Sequence, residues 1–431
     1  MVKKLKNKII EKFSSPKNAL KSMIFILIPL MIFFSILSDR IPYNYFAFLL
    51  YGIASILILV YSLIYHRLIF DVLMQFFVLF LSAILISQLL NFKLLEFPRT
   101  IFLLSAFAVI FYQFIVTLDA KEKQMIFQLM IFGGGIFIVY FVIYYFRDLI
   151  NLDFSVRLGR DFSDQNDLAK NLALFGIIAE VLAYKAKGKK RIFYFVVSGI
   201  FFFFILVTGS VSNLLVFTII SIIIIRKYLG EEKRLWFIVG LVATVALIVV
   251  IFQLPFMNYF KTRISNMFNL LFANNYSVDF SFIERIRLLY YGLKLFISKP
   301  IFGYGYDQVQ YYTLGKNAFS HNNFVELLAS FGLFGFLIFE AIMLYPLIKN
   351  WKKENKEQII FTLSYLFVFQ FFLITYRKKI EYFLIPLAFS LIEHPLHRGL
   401  SIEFINRKLK IKKFIEYGDN MIPVDYHSIS I

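Results

Sequence analysis

Ile192 to Ile225 reads IFYFVVSGIFFFFILVTGSVSNLLVFTIISIIII, and this stretch decides the fold. Two apolar runs, 192–208 and 211–225, meet at the small polar turn Thr208-Gly209-Ser210. The cationic cluster KAKGKKR precedes the pair and Arg226-Lys227 follows it. Lys and Arg collect on the cytoplasmic side of membrane proteins, so both outer ends are expected on one side of a bilayer and the turn on the other. Inside lipid, backbone groups are satisfied only by helices and closed barrels. Two long apolar runs joined by a tight tip therefore predict a transmembrane helical hairpin.

The same pattern recurs outward in both directions. The 431 residues are 60% hydrophobic, with a mean hydropathy of +0.73, above the roughly half apolar usage of soluble domains. Apolar runs approaching the roughly 17–25 residues that cross a bilayer as a helix suggest spans at 23–37, 44–65, 68–90, 100–118, 125–146, 168–184, 192–208, 211–225, 235–254, 324–348, 358–376 and 380–392. The expected fold is all-α: a polytopic membrane protein of about twelve transmembrane helices. A basic tail over 1–22 precedes a bundle over 23–392, and a second cytoplasmic tail follows from 393 to 431. With both termini in the cytoplasm, most of the 46 Lys and Arg fall on the cytoplasmic side, as the orientation rule asks. Arg377, Lys378 and Lys379 resist this, falling on the outer side of a short hairpin. Either that hairpin is misassigned or those cations face something anionic.

The net charge of +19 reads first as topology and second as affinity for anionic partners. No basic aromatic module or soluble domain is present to carry nucleic-acid binding. The absence of cysteine excludes disulfides, thiolate chemistry and cysteine metal sites. The basic start, MVKKLKNKIIEKFSSPKNALK, has no small-residue cleavage site behind it, so no cleavable signal peptide is expected.

Two outer loops, 147–167 and 255–322, are longer than the connectors that bundles normally use, and long loops are usually functional. Within the second, Phe282 to Phe296 has helical spacing and is expected to lie along the membrane surface, with Arg285 and Arg287 on or beside its polar face. Pro300 ends it. Leading out of that loop into span ten runs GYGYDQVQYYTLGKNAFSHNNFVELLASFGLFG, Gly303 to Gly335, which holds His321 beside Asn322 and is bracketed by Gly303/Gly305 and Gly332/Gly335. The outer surface thus offers a histidine, several arginines, asparagines and tyrosines, without a carboxylate pair, a metal cluster or a Walker-type loop. That inventory suits a metal-independent transfer on an anionic substrate delivered in the membrane. Arginines bind diphosphate through bidentate charge-assisted bonds, and a histidine titrating near neutrality can take a proton from an attacking hydroxyl.

His321-Asn322, nine residues and then Gly332-Leu333-Phe334-Gly335 match an H-[NSQ]-x9-G-x-x-G signature. In this the chain resembles the O-antigen ligase and polysaccharide polymerase superfamily. PIFGYGYD (Pro300 to Asp307) resembles that family's PlfGxGxg segment, and Ser281 to Arg285 its S-x-x-x-R helix entry. RLGRDFSDQNDLA (Arg157 to Ala169) is similar to its arginine-rich loop ending in N-x-x-A. The resemblance covers roughly 150–350 and departs from the pattern twice. Phe336 stands where Gly, Thr or Tyr is usual, and Val211 stands where an arginine often follows Thr-Gly-Ser.

The resemblance implies a bacterial inner-membrane glycosyltransferase acting on the extracytoplasmic side. It would transfer glycan from an undecaprenyl-diphosphate donor to a lipid-linked acceptor sugar, with a flippase and a chain-length regulator as further partners and no separate cofactor or metal. Carried onto this chain, His321 is general base or acceptor-positioning residue and Arg285 holds the diphosphate. Arg287, Arg157 and Arg160 assist, and Asn322 orients His321 or the sugar. Arg157, Arg160 or the cluster with Arg377 and Lys378 is expected to replace the arginine missing at 211. Gly303, Gly305, Gly332 and Gly335 allow close packing and backbone approach.

The bland readings stand beside these. Arg285 and Arg287 could be snorkelling interfacial residues. Glu180 is expected to snorkel toward the basic end, Glu340 to hydrogen-bond within the bundle, and Asp71 to be structural. The function expected is a repeat-unit polymerase for O-antigen, capsule or exopolysaccharide. The alternative is a ligase moving finished glycan to a lipid or protein. A transporter or flippase is disfavoured, because the polar groups gather in outer loops rather than at mid-bilayer.

Overall fold

Several helix starts in this chain coincide with residues that satisfy the orphan amides of a first turn. Ser15 accepts from Asn18 N ahead of α1 (Pro16–Ile36), with proline in the first turn. After α2 (Tyr43–Tyr65), Asp71 caps α3 (Val72–Leu90) and also accepts from Tyr112 OH at 2.5 Å, the structural role expected of it. Tyr112 belongs to α4 (Arg99–Ile115). Asp119 and Glu122 form a reciprocal capping box at α5 (Ala120–Tyr144), and Asp164 caps α6 (Gln165–Lys185). Then come α7 (Lys189–Val207), α8 (Val211–Leu229), α9 (Phe280–Ser298), α10 (Asn323–Asn350) and α11 (Glu381–Phe389). This is a computed structural model; it describes residues 15–37, 43–65, 71–92, 98–151, 158–159, 161–162, 164–229, 261–262, 265, 280–312, 320–350, 364, 366–371, 376 and 378–390. Among them there is no strand.

The protein is an all-α polytopic membrane protein. Seven described helices are long and apolar enough to cross a bilayer: α1, α2, α3, α5, α7, α8 and α10. The 17-residue α4 is a shorter apolar helix. The hairpin expected over 192–225 is α7 and α8, turning at Thr208 to Ser210. Of the twelve expected spans, 235–254 and most of 358–376 lie outside the described residues. The span expected at 380–392 is a nine-residue helix, α11, whose every residue is buried.

The centre of the bundle is α6, in which every residue from Asn166 to Ala183 is buried. It packs against α5, α7 and α8, so its polar residues face protein rather than lipid. That burial corrects the expectation for Glu180. Its carboxylate does not snorkel but is 7% exposed and accepts from Ser221 Oγ of α8 at 2.7 Å. Across the bundle, Phe383 of α11 packs between Phe107 and Phe111 of α4, with ring centroids 5.6 and 4.3 Å away. Such van der Waals packing, rather than the hydrophobic effect, holds helices together in lipid.

The span expected at 324–348 is where the structure departs most from a simple helix. At Gly332 the backbone adopts φ 65 and ψ −169, which breaks α10 in two. On a straight helix Asn323 and Glu340 would stand about 25 Å apart. Instead one carboxamide joins them, since Asn323 Nδ2 donates to Gln370 Oε1 at 2.5 Å and Gln370 Nε2 donates to Glu340 Oε2 at 3.3 Å. The first segment of α10 therefore folds back toward the second. The segment around Gly303 fills the break. Leu333 N and Phe334 N donate to Pro300 O (2.7 Å) and Ile301 O (3.2 Å), while Tyr304 N and Gly305 N donate to Ala329 O (2.9 Å) and Ser330 O (2.8 Å). Backbone groups freed by a broken helix at membrane depth need such partners. Helix α3 supports the insertion: Ser87 Oγ lies 2.5 Å from Phe302 O and 3.0 Å from Ser330 O, and Asn91 Nδ2 donates to Gly303 O at 3.0 Å.

Candidate active site

His321 stands in the turn leading into α10 with φ +53. That left-handed conformation costs a non-glycine residue roughly 1–2 kcal/mol, and its neighbours hold it there. Ser320 donates to Glu326 Oε2 from its amide at 3.1 Å and from its hydroxyl at 2.9 Å. Asn322 Oδ1 accepts from Val325 N at 3.0 Å, capping the helix, and Asn322 Nδ2 donates to Phe371 O at 3.2 Å. Asn323 N donates to Gln370 O at 2.8 Å, and Asn323 Oδ1 accepts from Tyr376 N at 3.1 Å. The turn is thus moored to its own helix and to residues 370–376. Asn322 engages backbone with both ends of its side chain.

Helix α9 crosses the start of α10 at close range. A Cβ at Gly292 would overlap Val325 Cγ1, so the helices meet backbone to side chain there. This brings the half-buried Arg285 near enough for its charge to act on His321. Arg287 is exposed and points roughly 200° around the helix from Arg285.

The start of α6 supplies the opposite charge. Asp164 accepts from Asn166 N (2.9 Å) and Asp167 N (3.3 Å). Burial, and then Arg285, hold the His321 imidazole below its ordinary value of 6.5, while Asp164 and Asp167 pull it up. The imidazole is therefore neutral at pH 7 and able to accept a proton.

Asp167 pairs with Lys378 and lies 3.6 Å from Lys170, which donates to Glu381 at 2.5 Å. The Lys170 and Glu381 side chains are each 1% exposed, whereas Lys378 keeps 30% exposure. Of these two lysines, only Lys378 is partly exposed. The hairpin tip reaches the same place, because Ser210 Oγ donates to Asn166 Oδ1 at 2.9 Å and Asn213 Nδ2 donates to Asn166 O at 2.9 Å.

The structure thus gathers His321, Asn322 and Arg285 in one region, with Lys378 joined to it through Asp167. Gly303, Gly305 and Gly332 lie in the break of α10, all with positive φ. Gly335 follows one turn later, where a Cβ would overlap the Phe331 side chain. Arg157, Arg160 and Arg377 lie outside the described residues. Sequence reasoning missed Asp164, Asp167, Lys170, Glu326 and Glu381. The acidic pair was visible as an Asp-rich start to an apolar span, and Lys170 as an ionisable group inside one. Among the described residues no three His, Asp or Glu side chains converge as a metal-binding set.

Residues 193–339 match the family model described as O-antigen ligase. The matched segment supports the resemblance of the chain to the O-antigen ligase and polymerase superfamily. The matched segment contains the α7–α8 hairpin, Arg285, His321 and the broken part of α10. No curated protein matches the chain. That match supports membrane glycan processing of the ligase and polymerase type.

Proposed function

We propose that the chain is a repeat-unit polymerase of the bacterial inner membrane, with both termini in the cytoplasm and the His321 end of the bundle extracytoplasmic. The donor is an undecaprenyl-diphosphate-linked glycan and the acceptor a sugar hydroxyl on a second lipid-linked repeat unit. The observation that carries this reading is the convergence of a neutral, conformationally strained histidine with Arg285 and the Lys378–Asp167 pair.

In the proposed reaction His321 takes the proton of the acceptor hydroxyl. The hydroxyl oxygen bonds to the anomeric carbon, and the carbon–oxygen bond to phosphate breaks. Undecaprenyl diphosphate leaves with the bonding pair, and Arg285 and Lys378 stabilise the charge it gains. Lys378 takes the place of the arginine missing at Val211, since Asn166, which binds the 208–211 tip, is the chain neighbour of Asp167. Arg160 and Arg377 adjoin Asp161 and Lys378 in sequence and Arg157 precedes Leu158, so all three are further candidates for the same anion. Arg287, turned away from His321, suits lipid headgroups. Asn322 orients His321 through the backbone contacts already described.

The ligase reading is favoured by the description of the matched family. It shares the donor and the site and differs in the acceptor. A null strain complemented with wild-type or His321→Ala separates the cases. Under the polymerase reading the variant shows single repeat units on the surface; under the ligase reading long lipid-linked chains accumulate. Wild-type chain length with the variant overturns both.

A further inference from the structure

Glu326 is 0% exposed, in the first turn of α10. A buried carboxylate is costly unless it accepts strong hydrogen bonds. Acids in first turns commonly close a capping box by reaching back to the amide of the cap residue. Here Asn322 is the cap, with Val325 N donating to it, and Glu326 reaches past it to Ser320. It takes both the amide and the hydroxyl of Ser320 on one oxygen, Oε2. The Ser320 hydroxyl also lies 2.8 Å from Asn322 O. His321 is therefore bracketed, with its preceding residue bound to Glu326 and its following residue bound to the helix and to Phe371 O.

We propose that Glu326 is the positioning residue for His321: through Ser320, its carboxylate holds the left-handed turn that aims the imidazole at the reacting hydroxyl. The proposal rests on the reading of His321 as the proton acceptor. Ser320, which Glu326 binds through both amide and hydroxyl, is the residue that directly precedes His321. The effect of Glu326 is geometric, and displacement of a reacting group by about 1 Å can cost on the order of 100-fold in rate. The strained φ of His321 shows what is being held. Without the Ser320 anchor the turn can relax to an ordinary conformation and carry the imidazole away.

The test uses the full chain in lipid nanodiscs with undecaprenyl-diphosphate-linked repeat unit extracted from the producing cell. Glu326→Leu lowers kcat on the order of 100-fold with KM nearly unchanged. Glu326→Gln, which keeps an acceptor for Ser320, stays within about threefold. Ser320→Ala, a smaller change that preserves the backbone, lowers kcat severalfold and decides the matter if Glu326→Leu does not fold. In a His321→Ala background, Glu326→Leu has almost no further effect, because residues acting as one unit are not additive. Wild-type kcat in both Glu326→Leu and Ser320→Ala overturns the proposal, as does a full additional loss in the His321→Ala background. Wild-type activity in His321→Ala alone removes the proton-acceptor reading itself, a failure distinguishable from the others.

Discussion

Gly332→Ala tests the scaffold beneath the site. Gly332 has φ 65 and ψ −169, a region open essentially to glycine alone. Placing alanine there costs about 1–3 kcal/mol in backbone strain. The new Cβ would overlap Ile301 O and C and lie 2.5 Å from Phe302 N, all backbone atoms that cannot rotate aside. Opening that contact to an ordinary separation moves the inserted segment by about 1 Å, enough to break the bonds from Leu333 N (2.7 Å) and Phe334 N (3.2 Å) to residues 300 and 301. Each buried group left without a partner costs about 1–3 kcal/mol. The total is roughly 3–9 kcal/mol against a stability that is typically 5–15 kcal/mol. Gly52→Ala and Gly135→Ala supply the contrast. Both lie inside helices with nothing within 4 Å of an added Cβ, so alanine there stabilises by up to about 1 kcal/mol. Thermal unfolding in detergent, followed by fluorescence-detected size exclusion, reads the difference directly. Gly332→Ala is expected to melt far below wild type and to form no glycan chains, while the two controls melt at or above it. A Gly332→Ala protein as stable as Gly135→Ala refutes the inserted-segment geometry.

Further outcomes follow from the charges. With His321 as the proposed proton acceptor, its proton affinity, lowered by burial and Arg285, puts the midpoint of the acid limb of the pH–rate profile below 6.5. Arg285→Gln removes a lowering charge and shifts the residual limb upward; a downward shift contradicts the placement of Arg285. Lys170→Met leaves Glu381 buried and unpaired and is expected to destabilise the fold by about 3–5 kcal/mol. Adding Glu381→Leu restores most of the melting temperature, whereas an additive loss shows that the pair is not coupled.

The sequence was most legible where periodicity and composition act alone. The α7–α8 hairpin, the helix over Phe280–Ser298 and its end before Pro300 were readable because apolar spacing and proline chemistry are local. The broken α10 was not, because its apolar run is continuous from Phe324 to Leu347 apart from Glu326, Ser330, Glu340 and a few small residues. Nothing local reveals that residues 300–305 enter it. Gly332 was recognised as part of a motif, yet its positive φ is imposed by a segment lying some thirty residues away in sequence. Long-range pairing hid the rest of the site. Lys170 and Glu381 are each an apparent liability in an apolar run, and they become compatible with burial only as partners. Glu326 drew no reading in the sequence, because its reach to Ser320 depends on the turn geometry at His321.

The most direct measurement is chain growth by the purified protein in nanodiscs with undecaprenyl-diphosphate-linked repeat unit as sole substrate. The wild-type protein should release undecaprenyl diphosphate and extend the glycan, and a correctly folded His321→Ala protein should do both at least about 100-fold more slowly. A folded His321→Ala protein that extends chains at the wild-type rate contradicts the account.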